Sequence, residues 1–263
     1  MLTAVIPVFN KAHLTKRCLE SMLDHSKIVD SVVVIDNASS DETPELLSSF
    51  ASRFEQKGIS FAVIRNAQNV GFGRACNQGV RLAKGKYVAI VNNDTWLMPA
   101  WDEALAQVLE EKNLDAVGPH FDERPFSEDP VTTAKEFLRK SPNQFRKHFV
   151  PILMFFRMSS VEKLKFEHGG IFDERYFVTY EDTDLKKRME DLGMKWGQTS
   201  RSYLWHQSMG TRGTPVLIPT GYEAEGLRLF MEKWGYDPRP AEHTWIERLK
   251  RKFRKKRSAK GLF

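Results

Sequence analysis

Asp94 closes a short apolar run: Tyr87-Val88-Ala89-Ile90-Val91 leads straight into Asn92-Asn93-Asp94-Thr95. A buried strand that ends abruptly in polar, metal-capable residues presents a carboxylate at its tip. A hard divalent cation bridging a diphosphate takes carboxylate and phosphate oxygens, so Asp94 is a candidate metal ligand. A strand-end Asp also caps turns, and taken alone the residue leaves both readings open. His206 follows a second apolar stretch, Ser202 to Trp205. Imidazole beside carboxylate favours manganese over magnesium, although a histidine next to a tryptophan is also a common structural residue. Glu181 and Asp182 precede a helix, where carboxylates serve as caps and dipole partners or, within reach of a substrate proton, as a general base. Asp184 and Arg188 stand four residues apart and read as a structural pair.

Two further sites complete the candidate set. Asp36-Asn37 leaves the β-branched run Val32-Val33-Val34-Ile35 and could accept the imide N–H of a pyrimidine or form an Asx turn before Ser39-Ser40-Asp41. Gly71 and Gly73 stand at a helix start, where free N–H groups and the helix dipole favour phosphate. Cys76 occupies the third glycine position of a dinucleotide fingerprint, so that pattern is broken.

The elements that must carry these residues alternate. Leu2 to Val8 predicts a first strand, and Leu14, Cys18 and Met22, backed by Leu19 and Leu23, a helix. Val32 to Ile35 is a strand buried on both faces. Thr43 as N-cap and Pro44 in the first turn open a helix whose stripe is Leu46, Leu47, Phe50 and Phe54, and Gly58 stops it. Ile59 to Arg65 is a third strand, and a helix then runs through Ala75, Asn77, Val80 and Leu82 to Gly85. From Pro119 to about Asn143 the pattern weakens into a charged loop or inserted lobe. Phe149 to Phe156 reads as a strand, Leu185, Met189 and Leu192 as a helix ended by Gly193, and Ser202 to Trp205 as a last strand. Strands alternating with helices predict an α/β fold with a mostly parallel central sheet covered on both faces, where ligands bind at the carboxyl ends of the strands.

Composition bounds the remainder. Of 263 residues 41% are hydrophobic and 28% charged, which suits one main globular domain with appendages. The longest apolar run, Phe149 to Phe156, is far below the roughly 18 residues of a membrane span. Two cysteines, Cys18 and Cys76, are too few for a disulfide framework and favour a reducing compartment. No secretory signal is visible in Met1 to Val8, and the expected location is the cytoplasm. The net charge of +6 belongs to one segment, because Arg248 to Lys260 holds nine Lys/Arg and no acid, and the remainder carries 31 basic against 34 acidic residues. Asp237-Pro238-Arg239-Pro240 reads as a linker. After it Trp245, Ile246, Leu249 and Phe253 share one helical face among the cations, the pattern of a basic amphipathic helix lying on an anionic membrane, with a solvated charge run or nucleic-acid contact as the less favoured alternatives.

Taken together, the sequence resembles the family 2 glycosyltransferases of the A-type nucleotide-diphosphosugar transferase fold (GT-A, Rossmann-like), particularly bacterial members that build cell-surface polysaccharides. The resemblance spans about Thr3 to Thr211 and rests on Ile6-Pro7-Val8-Phe9-Asn10, Val34 through Asp41, Asn69 through Asn77, Asn92-Asn93-Asp94, and Phe172-Asp173-Glu174 with Glu181 through Leu185. It implies a domain over residues 1–236, divided into a nucleotide-sugar-binding half (1–118) and an acceptor-side half (119–236), followed by the tail 237–263. It implies that Pro7, Phe9, Asn10 and Asp36 line the nucleoside pocket, with Asn37, Asn69, Gly71, Gly73, Arg74, Asn77, Asn92, Asn93 and Asp94 also on the donor. Asn92-Asn93-Asp94 stands where the family carries Asp-x-Asp, so one carboxylate is missing. Asp94 and His206 would bind manganese in preference to magnesium, Glu181 would meet the acceptor, and Asp182 would be the base of an inverting transfer.

The implied reaction moves a sugar from a uridine or thymidine diphosphate carrier to a glycan or lipid-linked acceptor, by a peripheral enzyme on the inner face of the cell membrane. Two other readings remain. A non-catalytic nucleotide-sugar-binding scaffold would bind the donor without turnover. A nucleotide-dependent oxidoreductase is disfavoured by Cys76 and by the absence of glycines in the first strand-to-helix turn.

Overall fold

The computed structural model describes residues 1–122, 130–207 and 221–239. Its centre is β1 (Leu2–Val8), every residue of which is buried. β1 lies between β2 (Val29–Asp36) and β4 (Tyr87–Val91), parallel to both, and β3 (Ser60–Arg65) extends the parallel set beyond β2. A strand buried on both faces needs apolar residues at successive positions, which Ala4-Val5-Ile6 and Val32-Val33-Val34-Ile35 supply. Pro7 lies past the last β1–β4 pair, Val5 with Ile90, so the ladder is one-sided where its N–H is missing.

Three crossover helices cover this half: α1 (Ala12–His25), α2 (Thr43–Gln56) and α3 (Phe72–Leu82). The expected stripe of α1 is buried from Leu14 to Leu23, and in α2 Leu47, Phe50 and Phe54 are buried, with Phe54 stacked on Phe61 of β3 at 4.8 Å. α3 packs so closely on β1 that a Cβ on Gly79 would sit 2.3 Å from Val5 Cγ1. Thr43 is not the cap of α2. The carboxylate of Asp41 accepts the Thr43 N–H at 3.1 Å and its hydroxyl at 2.6 Å, and through its other oxygen the Ala12 N–H at 3.0 Å, so one acid serves the starts of two helices.

Beyond β4 the sheet becomes mixed. The order is β3-β2-β1-β4-β8-β6-β9-β5, with a short β7 (Phe145–Arg146) on β9. β8 (Leu153–Arg157) is antiparallel to both β4 and β6 (Ala116–Asp122), and β9 (Trp196–His206) is parallel to β6. Two reversals restore the direction, so β9 points the same way as β4 and brings His206 to the edge where Val91 ends. β5 (Thr95–Leu97) returns antiparallel along β9, pairing Thr95 with His206.

The remaining helices are α4 (Trp101–Glu111), α5 (Pro130–Lys140), α6 (Met158–Leu164), α7 (Glu181–Asp191) and α8 (Tyr222–Trp234). Several expectations are corrected here. The stretch from Pro119 to Asn143 contains the end of β6 and all of α5, because Ala134 is buried and Phe137 stacks on His120 at 4.0 Å, contacts between segments that periodicity does not register. The strand expected from Phe149 begins at Leu153, after a turn at Pro151. Leu192 is 54% exposed just past the end of α7, so its stripe stops at Met189. The last strand starts six residues before Ser202, and α8 was not anticipated. Both cysteines are buried and unpaired. Among the described residues no helix is long and apolar enough to cross a membrane, and the tail expected over residues 245–263 lies outside them.

Candidate active site

The carboxyl ends of β1, β2, β3, β4 and β9 meet along one edge of the sheet, and the turns that leave them contain most of the residues singled out by type and spacing. The first turn is fixed from its neighbour. Asn10, at φ 54°, receives the Ser40 N–H on its side-chain oxygen at 2.8 Å and donates its own N–H to the Ser39 hydroxyl at 2.8 Å. Pro7 and Phe9 lead into this turn.

Asp36, 1% exposed, accepts the Ser39 N–H at 2.8 Å on one oxygen and Arg65 Nη1 at 2.9 Å on the other. A buried carboxylate needs such partners, and Arg65, at the end of β3, supplies charge as well as a donor. Sequence reading missed Arg65, whereas the Ser39 contact is of the local Asx kind that the residues after Asp36 suggested. The pairing of Asp36 with Arg65 across the β2–β3 ladder was the available signal.

Asn37 and Asn69 form the support of the next loop. The Asn37 amide donates to Asn69 Oδ1 at 2.7 Å and accepts from the Asn66 amide and the Val70 N–H at 3.0 Å each, while Asn69 Oδ1 also accepts the Gly71 N–H at 2.9 Å. Gly71, at φ 89°, passes so close to Phe177 that a Cβ would lie 2.2 Å from its carbonyl oxygen, which accepts the Phe72 N–H at 3.0 Å. A Cβ on Gly73 would meet Phe172 Cβ at 3.1 Å and Glu181 Cβ at 3.7 Å. Both glycines therefore let α3 approach the segment that carries the acids, and the Gly71 and Phe72 amides are spent within the protein.

Asn77, fully buried, accepts the N–H groups of Ile171 and Phe172 at 2.9 Å each and donates to the Phe172 carbonyl at 2.9 Å and to Glu174 at 3.1 Å. Arg74 Nε reaches the Glu174 carbonyl at 2.8 Å. These two side chains tie α3 to residues 171–174 across about a hundred positions of sequence.

At the tip of β4, Asn93 donates to Thr15 Oγ1 at 2.9 Å, and the Asn92 carbonyl accepts the Thr95 hydroxyl at 2.8 Å. Cys18 packs beneath this turn, and burial, moderated by the Thr95 hydroxyl and assisted by the Asp94 charge, pushes its thiol up to about 12. The Asn92 and Asp94 Oδ1 atoms are buried with no hydrogen-bond partner. His206 Nε2 lies 3.3 Å from Asp94 Oδ1, and both side chains are largely buried. Orphaned buried oxygens are uncommon, and a carboxylate with an imidazole 3.3 Å away fits a divalent cation. Among the described residues no group of three or more His, Cys, Asp and Glu could hold a metal.

Glu181 and Asp182 open α7. Glu181 is buried, and its charge, added to burial, pushes the neighbouring Cys76 thiol well up. Asp182 is half-buried, and one of its oxygens accepts the Thr183 N–H at 2.7 Å and the Thr183 hydroxyl at 3.2 Å. Asp184, two residues on, is fully buried and pairs with Arg188 at 3.1 Å, as its spacing predicts.

The family described as "Glycosyl transferase family 2" matches residues 3–203. "Glycosyltransferase GlyG" of Streptococcus pneumoniae serotype 4 is 26% identical over 117 residues, 44% of this chain and 38% of its own length. The chain thus spans about two fifths of that relative. Among solved structures, the complex of S. aureus TarS 1–349 with UDP superposes with a TM-score of 0.60 at 14% identity, covering 92% of this chain and 68% of TarS 1–349. Mannosyltransferase PcManGT of Pyrobaculum calidifontis, in complex with GDP-Man and Mn2+, gives 0.60 at 20% identity, covering 91% and 65%. At such identities the likeness shows the fold, which is that of the GT-A proteins.

Proposed function

Because the chain belongs to glycosyl transferase family 2, we propose that its strand-end site transfers a sugar, with inversion, from a nucleoside diphosphate to a hydroxyl of a glycan or lipid-linked acceptor. The observation that carries this reading is the 3.3 Å approach of His206 Nε2 to Asp94 Oδ1 at the edge where β4 and β9 both end. In the transfer, Asp182 takes the proton from the acceptor hydroxyl. The freed oxygen attacks the anomeric carbon from the side opposite the diphosphate, a C–O bond forms as the C–O bond to the leaving group breaks, and the configuration inverts. Glu181 positions the acceptor.

On the donor side, a carboxylate has about four acceptor positions, so Asp36 can take a pyrimidine imide N–H beyond its bonds to Ser39 and Arg65. The base carrier proposed is uridine or thymidine diphosphate, with the Pro7–Asn10 turn along the nucleoside. Asp94 and His206 would hold the divalent cation, manganese in preference to magnesium. When bound, the ion stabilises charge on the leaving diphosphate. The basic segment 245–263 is proposed to hold the protein on an anionic membrane, at its cytoplasmic face.

Calorimetric titration with the diphosphates of uridine, thymidine, guanosine and adenosine, and with NAD, each with and without manganese, tests the donor site. The expected result is manganese-enhanced binding of one pyrimidine diphosphate, weakened about tenfold or more by Asp94→Ala. Binding of NAD alone, or of nothing in the panel, would refute the assignment.

A further inference from the structure

The segment that delivers Glu181 and Asp182 is gripped from two sides. α3 holds one side, through Asn77 and through the close approach of Gly71 to Phe177. α8 holds the other. Lys233 Nζ lies 2.7 Å from Asp184 Oδ1 and 2.8 Å from Asp173 Oδ2, and Trp234 Nε1 donates to Asp184 Oδ1 at 2.9 Å. Arg188 takes the other oxygen of Asp184 and donates to the Leu164 carbonyl at 3.0 Å and to that of Ile171.

Asp184 is fully buried, so its oxygens rely on these partners for their hydrogen bonds, and removing one leaves a buried polar oxygen less satisfied. Burial alone would raise the Asp173 carboxyl, yet hydrogen bonds from Arg175 and Lys233 overcome it and hold the group well below the usual carboxylate range. Both acids thus share the α8 lysine as a partner.

The turn before α7 shows what the grip opposes. Thr179 and Tyr180 are consecutive non-glycine residues at φ 78° and 66°. Such conformations are strained and persist only where the surroundings over-determine them. α8 supplies those surroundings: Phe230, fully buried, packs its ring 6.1 Å from that of Tyr180, and a Cβ on Gly226 would lie 3.0 Å from the Tyr180 ring and 3.1 Å from the Thr179 carbonyl. Asp184 closes the same turn by donating its N–H to the Tyr180 carbonyl at 2.8 Å.

We infer that α8 is a positioning element for sugar transfer, in which Lys233 and Trp234, through Asp184, fix the first turn of α7 and so hold the Asp182 carboxylate in place for the acceptor. The inference rests on Asp182 being the base. Lys233 and Trp234 act through Asp184 and not on the reacting atoms, so their loss lowers the rate of transfer and leaves the donor site as it is.

The test uses the full chain and two readouts: nucleoside diphosphate released from a panel of UDP-, dTDP- and GDP-sugars with acceptor present, and calorimetric binding of the free diphosphates with manganese. Lys233→Met is expected to lower kcat about tenfold to a hundredfold, the scale of an angstrom-sized misplacement, with donor KM and diphosphate Kd within about twofold of wild type. Lys233→Arg should recover most of the rate. Unchanged kcat in Lys233→Met would overturn the inference, as would kcat and donor affinity falling together with the folded fraction. If Lys233→Met does not fold, Trp234→Phe keeps the aromatic bulk and removes one donor to Asp184; reduced kcat at unchanged Kd supports the role, and unchanged kcat refutes it. Asp182→Asn in the same assay separates the two claims. Full turnover there defeats the base assignment itself, whereas its loss beside an unaffected Lys233→Met defeats only the role of α8.

Discussion

The two acid-bearing regions of the site are built differently. Asp36 and Asp94 sit at the tips of parallel strands, and their supports come from elements flanking those strands: Ser39 of the following turn and Arg65 of β3 bond Asp36, while beside Asp94 the Asn93 amide bonds Thr15 of α1 and the Asn92 carbonyl accepts the Thr95 hydroxyl. Asp182 sits at the head of a helix, and its support arrives from α3, about a hundred residues earlier, and α8, about fifty residues later. The proposed donor side therefore takes its geometry largely from the sheet and the elements against it, whereas the proposed transfer side is clamped by α3 and α8. Perturbing the clamp should cost the second side far more than the first.

The largest effect is expected where the two regions touch. Gly71→Ala forces a Cβ to within 2.2 Å of the Phe177 carbonyl oxygen at a φ of 89°, which should destabilise the fold by about 4 kcal/mol from strain and overpacking together. Thermal melting would show it, and a melt unchanged from wild type would mean that the segment around Phe177 is not held against α3. Asn77→Ala comes next. It orphans the buried N–H groups of Ile171 and Phe172, at about 1–3 kcal/mol for each, so a loss of about 3 kcal/mol is expected, with diphosphate binding retained in the folded fraction. Binding lost ahead of folding would erase the distinction between the two sides.

The smallest effect is a pH dependence. The folded-state pKa of Asp173 is depressed, so its contribution to stability is fully present above the ordinary carboxylate range and is lost as pH falls toward the folded value. Denaturation midpoints should therefore fall below about pH 4, more steeply for wild type than for Asp173→Asn. Parallel acid limbs would contradict the ion-pair role of Asp173 with Arg175 and Lys233.

The same contrast explains what could be read from the chain. β1 to β4 with α1 to α3 were legible because buried parallel strands are continuous apolar runs and crossover helices carry a 3.6-residue stripe, both local signals. Asp94 and His206 were legible as strand-end residues, and their 3.3 Å approach needed only that both strands end on one edge. Lys233 and Trp234 were not legible. Nothing within α8 marks a lysine as the partner of an acid forty-nine residues away, because the charged pairs its own spacing shows, Arg228 with Glu225 and with Glu232, leave Lys233 out. α5 was missed for a related reason, because its buried face meets His120 and Tyr203 of other elements. Asn37, Asn69 and Asn77, legible as site residues, serve in the structure as loop and segment supports, a role that depends on partners rather than on residue type.

The most direct measurement compares Asp182→Asn with wild type in two assays on the same preparation: manganese-dependent binding of the nucleoside diphosphate and turnover of its sugar derivative with acceptor. The account predicts binding within about twofold of wild type and turnover reduced at least about a hundredfold, the scale of lost general-base catalysis. Near-normal turnover in Asp182→Asn would contradict it.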